Sequence, residues 1–107
     1  MKRGAVLWIN LEPASPPEFG KVRPAVVISN SEQNLILPSI VVLPLSSRGE
    51  EIWPLRIALT IPELKRSFAV LPGIRQISKE RIEETIGFLS LKDTSRLNEA
   101  LQVYLSD

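Results

Sequence analysis

Seven short apolar packets, each cut off within a few residues by Pro, Gly, Ser, Asn or a charge, decide what this chain can become; they are residues 5–9, 25–29, 40–43, 55–59, 68–71, 74–77 and 85–89. Runs this short do not sustain helices of three turns. Their Val, Ile and Leu content suits the pleated surface of strands. The pattern predicts a small, strongly bent antiparallel sheet rather than a helical bundle. Residues 55–59 and 74–78 mix polar with apolar side chains, as half-exposed strands do, whereas 26–28 and 40–43 are continuously apolar and read as strands buried on both faces.

The C-terminal segment has a different period. Ser90 precedes Leu91-Lys92-Asp93 in an N-cap pattern, and Leu97, Ala100, Leu101, Tyr104 and Leu105 follow at helical spacing, which predicts one closing amphipathic helix. Shorter helical turns are expected at 62–66, with Pro62 as starter after Thr60, and at 79–82 after Ser78. Two connections exceed the usual length of about four to six residues. One spans 12–22 and contains Pro13, Pro16, Pro17 and Gly20; the other spans 46–53 and contains Arg48, Gly49, Glu50 and Glu51. Long loops on a small sheet either carry function or form solvated edges. With 107 residues and no repeat or composition break, residues 1–107 form one domain.

Composition narrows the chemistry. The chain has no Cys and no His, which removes disulfides, thiolate catalysis, thiol metal sites and the commonest acid/base group. No cofactor or metal is expected. The net charge of +1 provides no global field for a polyanion, so any such partner must be met by a local basic patch. The first apolar run, 5–9, is too brief for a signal peptide or a membrane span, and a cytoplasmic location with no membrane partner is expected.

A few polar residues occupy places from which they can do chemistry. Arg23 precedes Pro24, which biases it toward extended backbone at the mouth of a buried strand and suits its planar cation to a phosphate or carboxylate; pairing with a nearby Glu is the bland alternative. Ser46, Ser47 and Arg48 follow the buried strand 40–43 directly, although serines there also serve as turn formers. Glu18 lies in the first long loop beside Phe19, where the acid can act as a base or orient a cation and the ring can stack on a base or anchor the loop. Arg75 faces outward between Ile74 and Ile77. Trp8 and Trp53 read as packing residues.

Taken together, Lys2-Arg3-Gly4, then Lys21-Val22-Arg23-Pro24-Ala25-Val26-Val27-Ile28-Ser29-Asn30, Val42-Leu43-Pro44-Leu45-Ser46-Ser47, Ile74-Arg75-Gln76-Ile77-Ser78-Lys79-Glu80-Arg81-Ile82 and Ile86-Gly87-Phe88-Leu89-Ser90 resemble the PemK/MazF family of type II toxin–antitoxin endoribonuclease toxins. The resemblance runs in order along nearly the whole chain, and Arg-Pro-Ala-Val-Val is its strongest piece. It implies a mainly β (α+β), SH3-like, strongly bent barrel with a C-terminal helix. It also implies a homodimer, a cognate antitoxin partner and metal-independent cleavage of single-stranded RNA at short motifs. Arg23 matches the family's catalytic Arg, and Ser46 falls where a catalytic Thr is most frequent. Glu18 matches the acid of the family's Gly-Ser-Glu-Gln-Gly loop, which here reads Pro16-Pro17-Glu18-Phe19-Gly20. Arg75 matches the Arg of a Gln-Ile-Arg segment in which Gly73 replaces Gln.

The implied chemistry agrees with the composition. RNA carries its own nucleophile, the 2′-hydroxyl, so the protein need only remove its proton, stabilise a phosphorane and protonate the leaving 5′-oxygen. Arg23 suits the phosphorane, since a guanidinium does not release its proton. Glu18 is the candidate base or proton relay and Ser46 a hydrogen-bond donor, leaving Phe19, Lys21, Ser47, Arg48 and Arg75 to hold RNA. Two other readings stay open: a barrel that only binds RNA or antitoxin, and a gyrase poison of the same fold. The latter branch uses a Trp near its C terminus, whereas this chain ends Tyr104-Leu105-Ser106-Asp107.

Overall fold

The computed structural model describes residues 1–107. All seven packets become strands: β1 (Ala5–Asn10), β2 (Val22–Val27), β3 (Ser39–Ser46), β4 (Arg56–Leu59), β5 (Ser67–Val70), β6 (Arg75–Ser78) and β7 (Ile82–Phe88). They form one antiparallel sheet in the order β4-β5-β3-β2-β1-β7, with β6 also paired to β3. β3 is the hinge of the bend. One of its edges pairs with β2, while the other is shared, its beginning pairing with β6 and its end with β5. A 3-10 turn at Leu71–Gly73 makes the corner between those two partners. Two register shifts between β1 and β7 add further curvature. β4 and β7 are not hydrogen-bonded to each other, so the expected barrel is strongly bent but does not close.

The continuous apolar strands are buried on both faces because the sheet has a core on each side. Val26 and Leu43 enter one cluster with Ile57, Leu71, Leu97 and Leu101; the adjacent Val27 and Val42 enter the other with Leu7, Ile9, Ile40 and Ile77. The closing helix α2 (Leu91–Tyr104) seals the first cluster with Leu97, Ala100 and Leu101. Ser90 caps it through Asp93 N–H, and the buried Asp93 carboxylate accepts Thr60 N–H at 2.7 Å, fixing the helix start to the end of β4. No helix is long and apolar enough to cross a membrane.

Two local expectations change. Residues 79–81 form a 3-10 turn capped by Ser78, as anticipated, but 62–66 forms turns instead of a helix, held by a single Leu64 N–H to Ile61 carbonyl bond. A short helix not anticipated, α1 (Ser31–Ile36), follows Asn30, whose side chain accepts from Glu32 and Gln33 N–H. Its inward residue is polar. Asn34 is buried and fully bonded, donating to the Met1 and Ser29 carbonyls and accepting from the Ser29 hydroxyl, while Leu35 and Ile36 face solvent.

Two stability predictions arise here. Gly73 lies against Pro44, and a Cβ at position 73 would come within 2.5 Å of the proline Cγ. Gly73→Ala is therefore expected to destabilise the fold by about 1–3 kcal/mol in chemical denaturation, because the neighbour is a rigid ring inside the sheet corner. The second concerns Glu51, which accepts Ala58 N–H at 2.9 Å and pairs with Arg96. The Ala58 N–H first and Arg96 second hold its carboxyl below the ordinary value of 4.5. It therefore stabilises the fold above that value and ceases to do so as pH falls through the lowered one. Glu51→Gln should reduce stability at neutral pH and flatten the acid side of a stability–pH curve.

Candidate active site

The register of the central strands builds the site. β2 and β3 pair as Val27↔Val42, Val26↔Leu43 and Ala25↔Pro44, after which the ladder ends. Continued by two residues, that register sets Arg23 across from Ser46. Alternation puts both side chains on the face shared by Ala25, Val27 and Val42. Pro24 and Pro44 stand where the ladder stops, and neither has an N–H to extend it. The strands splay there, and the gap becomes a cleft of about 490 Å³ lined by Arg23, Ser46, Ser47 and Lys21, among others.

Each side chain is positioned locally. Arg23 donates from Nε to the Gly20 carbonyl at 3.0 Å and lies 4.9 Å from the Phe19 ring centroid, which leaves its two terminal amino groups without a protein partner. A guanidinium oriented this way needs little reordering to grip an oxyanion. Ser46 ends β3, pairs across the sheet with Phe68, and exchanges hydrogen bonds with the backbone of Arg48 at 3.2 and 3.3 Å. Those contacts are long enough to yield to a better acceptor. Lys21 adopts φ 63°, the left-handed region that non-glycine residues avoid, while its backbone closes the loop through Glu12 and Leu11.

The remaining candidates lie beside this cleft. Glu18, Phe19 and Arg75 line a neighbouring depression of about 300 Å³ together with Pro72, Gly73 and Ile74. Glu18 accepts Ser15 N–H at 2.9 Å, and Arg75 reaches the Leu11 carbonyl at 3.5 Å. Phe19 connects the two hollows, since its ring lines one and carries Arg23, which lines the other. Arg48 lines neither; its carbonyl instead anchors Arg56. The second long loop is thereby a tied structure, held at Arg48, at Glu51 and at Ile52.

Among the lining residues that sequence reasoning missed are Trp8, assigned to packing, and the basic pair Lys65-Arg66, within the segment expected to be helical. The available signal was the adjacency of two cations directly before an apolar strand. With them the cleft holds four cations, Lys21, Arg23, Lys65 and Arg66, and no carboxylate. This is the local basic patch that a chain of net charge +1 requires for a polyanion.

Comparison with known proteins gives a consistent picture. A family model described as "PemK-like, MazF-like toxin of type II toxin-antitoxin system" matches residues 2–105. The chain is 31% identical to Endoribonuclease MazF9 of Mycobacterium tuberculosis, covering 98% of itself and 96% of that protein. It is 29% identical to Endoribonuclease MazF of Staphylococcus saprophyticus, covering 98% and 91%. Among solved structures, MazF of Deinococcus radiodurans superposes with a TM-score of 0.85 at 21% identity, over 98% of this chain and 96% of that one. A mycobacterial endoribonuclease in complex with its cognate antitoxin gives 0.82 at 19% identity, over 98% and 94%. The structural matches establish the shared fold.

Proposed function

The chain belongs to the PemK-like, MazF-like toxin family of type II toxin–antitoxin systems, and on that premise we propose that it is an endoribonuclease toxin whose splayed β2–β3 cleft cleaves single-stranded RNA. The observation that carries this reading is the placement of Arg23 and Ser46 on one cleft lined by four cations and no acid. Phosphodiester RNA is the polyanion that brings its own nucleophile to such a surface. The 2′-oxygen attacks the adjacent phosphorus, the bond to the 5′-oxygen breaks, and the products are a 2′,3′-cyclic phosphate and a 5′-hydroxyl end. The proton that leaves the 2′-hydroxyl for Glu18 is balanced by one that reaches the departing 5′-oxygen from solvent through the Ser46 hydroxyl, so the step needs no oxidant, reductant or co-substrate.

Arg23 neutralises the two oxygens on which phosphorane charge gathers, and Ser46 donates to a third oxygen or to the leaving group. Glu18 takes the 2′-proton, its carboxylate approaching from the neighbouring hollow on the far side of Phe19. Phe19 and Arg75 extend the RNA path there, Lys21 and Ser47 hold the strand on the cleft side, and Arg48, next in sequence to Ser47 but outside the cleft lining, meets the strand beyond it. The protein works in the cytoplasm on mRNA, as a homodimer restrained by an antitoxin. The antitoxin's acidic side chains occupy the phosphate positions beside Arg23 and Arg75.

Purified protein incubated with single-stranded RNA in EDTA is expected to produce fragments with 5′-hydroxyl ends. Intact RNA across a varied sequence pool, in the presence or absence of Mg²⁺, would contradict the assignment. Unbroken RNA that is nevertheless bound would favour the binding-only reading.

A further inference from the structure

Phe68 belongs to neither apolar cluster, yet only 3% of it is exposed. It stands opposite Ser46 in the β3–β5 ladder, and two guanidinium groups cover its ring: Arg66 at 5.0 Å and Arg56 at 5.8 Å from the centroid. Arg56 is committed, donating through Nη2 to the Arg48 carbonyl. Arg66 is not. It is exposed, has no hydrogen bond or ion pair to the protein, and lines the same cleft as Arg23 and Ser46. Its seat repeats that of Arg23, 4.9 Å from the Phe19 centroid. Ser46 therefore stands between two arginines, each held over an aromatic ring and each with free amino groups.

One guanidinium can orient the reacting phosphate, but a flexible single strand held at one point can still pivot about it. A second anchor on the opposite wall fixes its direction. Resting on the RNA-cleaving reading above, we propose that Arg66 is a second phosphate-binding residue, gripping a phosphate next to the scissile one and so setting the path of the strand across Ser46. Stacking on Phe68 restricts the long side chain before RNA arrives, so less freedom is lost on binding, and the planar fork matches a phosphate. Lys65 adds unoriented charge beside it.

The test uses a non-cleavable 2′-O-methyl RNA oligonucleotide pool, with binding followed by fluorescence anisotropy from low to high KCl. Arg66→Gln should weaken binding roughly tenfold at low salt and make the log–log salt slope shallower by about 0.7, the share of one phosphate contact on a single strand. Arg66→Lys should keep the slope. On cleavable RNA, Arg66→Gln should raise KM and leave kcat within a few-fold, and a cooperative thermal melt should show that the variant is folded. An unaltered affinity and slope overturns the proposal, as does weaker binding with an unaltered slope, which would mean base stacking instead. Failure of the unsubstituted protein to bind or cleave RNA would defeat the underlying reading and is visible without any variant.

Discussion

Arg23→Ala is expected to lower kcat for RNA cleavage by about a thousandfold at saturating RNA, the upper range for removing one preorganised donor from a site of developing charge. The reason is geometric. Only Nε of Arg23 is used by the protein, on the Gly20 carbonyl, and Phe19 supports the group from one side, so the two terminal amino groups are free for the phosphorane oxygens. Arg23→Lys should recover little of the loss, because an ammonium offers charge without the two parallel donors. The variants should stay folded, since Arg23 lies outside both apolar clusters. Single-turnover cleavage beside a thermal melt separates the chemical loss from unfolding.

Ser46→Ala comes next, with an expected loss of about a hundredfold in kcat and little change in RNA affinity. In the free protein the hydroxyl bonds only to the Arg48 backbone, at 3.2 and 3.3 Å on an exposed turn, so its removal should cost less than about 1 kcal/mol of stability. Ser46→Thr keeps the oxygen and its β-branch suits a strand end, so this variant should retain most activity. A Ser46→Thr variant as slow as Ser46→Ala, with both still folded, would mean that the hydroxyl donates no bond to the substrate.

The strands and the closing helix were legible in the sequence because both announce a period. Packets bounded by Pro and Gly marked the sheet, and Ser90 with Leu97, Ala100 and Leu101 marked α2. α1 was invisible for the opposite reason: its one buried side chain is Asn34, and its apolar residues point outward. The meeting of Arg23 with Ser46 was supplied by family resemblance and not by pattern. Register is written in alternation, and β2 and β3 have almost none, because both faces of each are covered by apolar clusters. Arg66 escaped notice because nothing in the sequence marks the seating of its guanidinium on the ring of Phe68 two residues on.

Gly73 shows how a departure from a family's pattern can have a structural origin. At Gly73 the backbone presses on Pro44, and Phe19 lies just beyond, 3.8 Å from where a Cβ would stand. Gly73 and Phe19 both line the smaller hollow, so the close approach of Gly73 to Pro44 bears on the shape of that hollow.

The central claim is that Arg23 and Ser46 act on one phosphodiester, and a double-mutant cycle on the single-turnover cleavage rate tests it most directly. Groups serving the same transition state lose their value together, so the Arg23→Ala, Ser46→Ala protein should be only slightly slower than Arg23→Ala alone. Losses that multiply in full, or single variants that both cleave at the unsubstituted rate, would contradict it.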